Sequence, residues 1–190
     1  MKREELILLL ESNDIQFRDW GAGASKTLEH LLKEIYEGEA ELIQRDGSLL
    51  RVVTGSTIRV YYRNGAVLLY LKEEKQIFND GRVKRRELAG DMSIGEKLKP
   101  GEIPAVGAWR SLAEELGITE KLPLIPRPDI IKCPVPSVSF PGLYTLYTIF
   151  AFEVFLPERW YKPGGYIEAQ PDKINYFSWT EFLADNNPPT

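Results

Sequence analysis

GEKLKPGEIPAVGAWRSLAEELGI, Gly95 to Ile118, is the most informative stretch of this 190-residue chain. Pro104 suits the first turn of a helix, where a missing N–H has no partner to lose, and Gly117 suits the position just past a helix end. Between them the pattern predicts one helix of about three turns. Ala105, Trp109, Leu112 and Leu116 recur at spacings of three and four and form an apolar stripe. Ser111, Glu114 and Glu115 are expected on a different face. Two adjacent glutamates at the C-terminal end of a helix are opposed by the helix dipole and by each other. Arg110, four residues before Glu114, or a divalent cation would relieve them; a solvated acidic patch is the plain alternative.

The spacing resembles the Nudix box, G-x5-E-x7-R-E-U-x-E-E-x-G-U, in which U is a bulky apolar residue. Glu102, Arg110, Leu112, Glu114, Glu115, Gly117 and Ile118 match in unbroken register, seven of the nine defined positions. Gly95 comes one residue early, with Glu96 at the expected glycine, and Ser111 stands where the pattern has a glutamate. The resemblance implies an α+β chain with the Nudix fold, a mixed β-sheet sandwiched between helices. It also implies a hydrolase that cleaves the diphosphate linkage of a nucleoside diphosphate derivative, with Mg2+ or Mn2+ as cofactor. Glu114 and Glu115 then stand as catalytic residues and metal ligands, and Glu102 with Arg110 as a structural ion pair. Glu96, Glu168 and Asp172 are further acids able to stand in for the carboxylate missing at Ser111.

Before the box, residues 3 to 12 read as a short helix with Leu6, Leu9 and Leu10 on one side. A second helix is expected from about Thr27 to Tyr36, with Ser25 or Thr27 as N-cap. GAGASKT fails as a phosphate-binding loop, because Ser25 precedes Lys26 and Trp20 occupies the first glycine position. Residues 1–47 are therefore expected to form a small helical extension, a hairpin tied down by Trp20, ahead of a Nudix-like domain over 48–190. From Leu49 the period changes to two, with Ile58, Val60 and Tyr62 on one face and Thr57, Arg59 and Tyr61 on the other. Asn64-Gly65 and Asn79-Asp80-Gly81 mark turns. In the basic run Arg82, Lys84, Arg85 and Arg86, a solvated strand face is the ordinary reading, with Arg86 a candidate for a substrate phosphate.

After the box, the six prolines between 123 and 141 predict an extended ordered loop. LYTLYTIFAFEVFLP reads as a long, mostly buried strand, with Glu153 exposed at an edge as the ordinary reading and aimed into the pocket as the alternative. A loop around Gly164-Gly165 follows, where Trp160, Tyr161 and Tyr166 are candidates to stack on a substrate, with Asp172 nearby. INYFSW reads as a strand, and TEFLADN as the start of a helix capped by Thr180.

Composition narrows the partners. A net charge of −4 argues against a nucleic-acid surface, and the Nudix resemblance implies a small-molecule diphosphate as the partner. One cysteine, Cys133, precludes an internal disulfide and fits a reducing cytoplasm. The single histidine, His30, has a surface or capping position, which leaves little material for zinc or Ser–His chemistry. Only a short apolar run, Leu6 to Leu10, follows the charged start, and LYTLYTIFAFEVFL is interrupted by Glu153, so neither a leader nor a membrane span is expected. Two other uses of the chain stand beside hydrolysis. One is a catalytically impaired protein that binds a nucleotide or phosphorylated ligand; the other is a protein-interaction module, with a homodimer interface in the helical part or the proline-rich segment.

Overall fold

The computed structural model describes residues 1–23, 25–85 and 92–182. In chain order its elements are α1 (Arg3–Glu11), α2 (Leu28–Tyr36), β1 (Glu41–Arg45), β2 (Ser48–Asn64), β3 (Val67–Phe78), β4 (Val83–Arg85), β5 (Ile94–Lys97) and α3 (Pro104–Leu116). They continue with β6 (Ile125–Pro126), β7 (Ile130–Pro136), β8 (Tyr144–Phe155), a 3-10 turn (Glu158–Trp160), β9 (Tyr166–Ala169) and β10 (Lys173–Glu181). The architecture is α+β. The chain divides into two units, one of Met1–Gly55, Lys97–Ile103 and Asp129–Ile149, the other of Ser56–Glu96, Pro104–Pro128 and Phe150–Thr190. Among the described residues no helix is long and apolar enough to cross a membrane.

In the first unit α1 and α2 bury Leu6, Leu10, Leu28 and Leu31 with Leu49, Phe140 and Leu143. Thr27 caps α2 as expected: its Oγ1 accepts the His30 N–H at 3.4 Å, and His30 Nδ1 accepts the Thr27 N–H at 3.2 Å. Trp20 packs on Phe140 and donates Nε1–H to the Pro141 carbonyl at 3.0 Å. The expectation of a wholly helical segment over 1–47 needs one correction, because β1 pairs antiparallel with β2. Asp46 and Gly47, both at positive φ, make the two-residue turn between them. That Asp-Gly pair between Leu42-Ile43 and Leu49-Leu50 was a hairpin signal in plain view.

The proline-rich segment is extended, yet much of it is strand and not loop. Part of it forms β7, which pairs with β8, and a register shift between Lys132 and Val135 lets Cys133 and Pro134 pass without breaking the ladder. A buried charge cluster also belongs to this unit. Glu34 and Arg51 are each 4% exposed. Arg51 donates Nε and Nη2 to Glu34 Oε2 at 3.1 and 2.5 Å, while Lys97 and Lys26 reach Glu34 Oε1 at 2.6 and 2.9 Å. Burial opposes ionisation of Glu34, but these three cations outweigh it and hold its pKa down at about 2.

In the second unit the strands run in the order β6-β8-β2-β3-β10-β9. Asn64 pairs with Val67 across the expected hairpin. Ile58, Val60 and Tyr62 are buried on one face of β2 as their alternation predicts. They join Leu71, Ala108, Leu112, Leu116, Val154 and Phe177 in one core. Tyr61, on the opposite face, is buried too, stacked on Phe155. Glu153 departs from expectation: it is 1% exposed and lies 3.7 Å from Arg59 and 3.4 Å from Arg127, because two guanidiniums compensate its burial. Thr180 lies in β10 and caps no helix there; the rest of that expected helix lies outside the described residues.

Candidate active site

The site is built on α3, which lies against β9 in the second unit. Pro104 is its first residue and Gly117 follows its last, as the sequence predicts. Leu112 and Leu116 are buried, and Ala105 and Trp109 pack against the same core. The three polar positions do not share a face. Ser111 is fully buried and donates its hydroxyl to the Ala108 carbonyl at 2.9 Å. Glu114 is exposed, with Oε2 at 3.3 Å from Arg110 Nη1. Glu115 is half-buried, and its Oε1 accepts the backbone N–H of Gly95 at 3.1 Å.

Glu115 sits among other carboxylates. Burial raises its pKa most, the negative charges of Glu168, Glu96 and Glu73 add to the rise, and the Gly95 N–H opposes it; the result is about 9. Each neighbour has a structural reason for its place. Glu96 is carried by β5 and lies 3.5 Å from Arg110. Glu168 is on β9, where Gln170 Nε2 and Asn175 Nδ2 donate to its two oxygens, each at 2.6 Å. Glu73 continues the inward series Leu69, Leu71 on β3. A register shift pairs Phe177 with Glu73 and Tyr176 with Lys75, so that Glu74 is looped out.

Of the residues expected from sequence, Glu115, Glu96 and Glu168 are thus brought together. Glu114 points to solvent beside Arg110. Glu102 belongs to the first unit, where it accepts the Lys99 N–H at 2.9 Å; Arg110 belongs to the second, where it pairs with Glu96 and Glu114. Tyr166 is 3% exposed and donates its hydroxyl to the Trp160 carbonyl, and burial pushes its pKa up to about 12. It is a core residue with no open ring face for a substrate. Tyr161 is stacked on Tyr62 at 3.6 Å between centroids, and Trp160 donates Nε1–H to Glu120. Asp172 is exposed in the turn before β10 and offers its carbonyl to the Asn79 N–H. Arg86 lies outside the described residues, while in the same run Arg82 holds Asp80 at 2.6 Å and Arg85 lies 3.6 Å from Glu74.

Sequence reasoning missed Glu73, Gln170 and Asn175. Glu73 had a legible signal, a charged residue at an inward position of an alternating strand. The two amides had none.

Among the described residues no three His, Cys, Asp or Glu side chains converge closely enough to hold a metal ion by themselves. The donor chemistry nonetheless fits a hard divalent cation, since oxygen donors on four elements crowd one another's charge, and a cation removes that repulsion. A carboxyl held protonated to about 9 would exchange its proton for the ion.

No protein-family model and no curated protein sequence matches the chain. Solved structures do. A C. elegans Ap4A hydrolase is 15% identical over 68% of this chain and 80% of its own, at a TM-score of 0.38. The E. coli dihydroneopterin triphosphate pyrophosphohydrolase is 16% identical over 70% and 81%, at a TM-score of 0.39. A MutT/nudix family protein from Enterococcus faecalis is 13% identical over 95% of this chain and 56% of its own, at a TM-score of 0.44. These are likenesses of fold, too distant to bring chemistry, substrate or metal to this chain.

Proposed function

We propose that the chain is a Nudix-type hydrolase that cleaves the diphosphate linkage of a nucleoside diphosphate derivative with Mg2+ or Mn2+. The observation that carries this reading is the setting of Glu115, the last glutamate of the box-like spacing. It shares its surroundings with Glu96, Glu168 and Glu73, which come from three strands. Such crowding is unfavourable for an empty site and favourable for one that takes a cation. Glu115, Glu96 and Glu168 would each offer an oxygen to the ion, which needs a further donor because no three acidic side chains suffice among the described residues, and Glu73 adds negative charge. When bound, the ion supplies Lewis acidity toward the diphosphate and a more acidic water. Gly95 fixes the orientation of Glu115 through its N–H.

One observation favours binding without turnover. Ser111 brings no carboxylate, and its hydroxyl is already engaged inside the helix. A magnesium-dependent hydrolysis assay that separates the phosphomonoester and pyrophosphate products, run over ADP-ribose, dinucleoside polyphosphates, nucleotide sugars and oxidised nucleoside triphosphates, distinguishes the two readings. The hydrolase reading expects activity on one class, lost in Glu115→Gln. Silence across the panel, with binding of the same ligands in calorimetry, would replace it with the binding reading.

A further inference from the structure

The carboxylate of Glu168 is gripped by two amides, and they are not equivalent. Gln170 is half-buried, whereas Asn175 is 4% exposed and stands directly opposite Glu168 in the register of β10 with β9. Asn175 donates Nδ2–H to Glu168 Oε2. Its Oδ1 is buried with no hydrogen-bond donor among the described residues. The amide cannot be turned over to remedy this, since Oδ1 would then face a carboxylate oxygen at 2.6 Å with no proton between them. An unsatisfied buried acceptor costs about 1–3 kcal/mol, and in a native protein it is accounted for by strain, by function, or by a water or an ion outside the chain.

The surroundings favour an ion. Glu168 is adjacent, and Glu168 in turn presses on Glu115. A neutral amide oxygen is a hard donor that Mg2+ and Mn2+ accept, and it adds no further negative charge to a crowded cluster. We propose that Asn175 is a positioning residue and oxygen donor of the cation site, with Nδ2 fixing Glu168 and Oδ1 facing the ion. The proposal rests on the cation reading of the site given above. It accounts for a site in which Ser111 brings no carboxylate and, among the described residues, no three acidic side chains suffice.

The test is Mn2+ binding to the full chain, read by the electron paramagnetic resonance of the free ion, with thermal melts in EDTA as a control of folding. Asn175→Ala is expected to weaken Mn2+ binding about 10- to 100-fold. Asn175→Asp keeps an oxygen in place but sets it against Glu168. It is expected to melt below wild type in EDTA, recover with Mn2+, and bind the ion within about threefold of wild type or more tightly. Should Asn175→Ala fail to fold, Asn175→Val takes its place with the same expected loss. Wild-type affinity in the Ala or Val variant, or an Asp variant as weak as the Ala variant, would overturn the role of Asn175. Wild-type protein that takes up no Mn2+, or whose uptake survives Glu115→Gln, would instead overturn the cation reading underneath it.

Discussion

Gly95 donates its backbone N–H to Oε1 of Glu115 at 3.1 Å, and it does so from a position where no side chain fits. A Cβ there would stand 2.9 Å from the Ser56 carbonyl oxygen and 2.9 Å from Thr57 Cγ2. The glycine of the box-like stretch therefore serves close packing of β5 on β2, and through it the orientation of a glutamate twenty residues further on.

Gly95→Ala is the direct probe of that packing. The backbone carbonyl cannot give way as a flexible side chain could, so urea denaturation should show a loss of about 1–3 kcal/mol. Mn2+ binding should weaken as well, because the N–H that steadies Glu115 moves with β5.

Glu115 makes the metal-free protein sensitive to base. Its pKa is about 9 when folded and near the ordinary glutamate value of 4.5 when unfolded, so the folded state holds the extra proton between those limits. Stability is then full below about pH 4.5 and declines as pH rises toward 9. Thermal melts in EDTA from pH 5 to 9 should fall along that slope, and Glu115→Gln should flatten it. Added Mn2+ should raise the melting temperature more at the alkaline end, because there the proton is easier to displace.

Glu34 predicts the opposite sign. Its pKa is held at about 2 against 4.5, so its contribution is present above pH 4.5 and is lost as pH falls toward 2. Glu34→Gln leaves Arg51, itself 4% exposed, without its carboxylate. The expected loss is about 3–5 kcal/mol in chemical denaturation at pH 7, and the variant should lose much of the wild-type acid sensitivity.

Ser111→Glu would complete the box-like pattern, but Ser111 is fully buried. A longer charged side chain has to be accommodated there, so the variant should be at least about 2 kcal/mol less stable in EDTA. Mn2+ should restore part of that difference. Wild-type stability in EDTA would mean that the space beside Ser111 already suits a carboxylate.

Much of the architecture was legible because its causes are local. Thr27 caps α2, Pro104 and Gly117 bracket α3, Asn64 closes a hairpin with Val67, and Ile58, Val60 and Tyr62 face one core. Each follows from dihedral preference or periodicity within a few residues. The sheet partners of the proline-rich segment were not legible. Pro126 and Val135 are strand residues only because β8 offers them partners.

The sequence by itself determined α3 and the box-like register of Glu102, Arg110, Glu114 and Glu115, because helix spacing and helix ends are written in neighbouring residues. Only the tertiary structure decided that Ser111 turns inward, that Glu114 turns to solvent, and that Glu73, Glu96 and Glu168 share the charge around Glu115. It alone also set Asn175 Nδ2 against Glu168 and left Asn175 Oδ1 buried with no donor among the described residues. Desolvation and Coulomb repulsion depend on distance in space, and these residues are brought near one another by strand pairing and by the packing of α3 on β9.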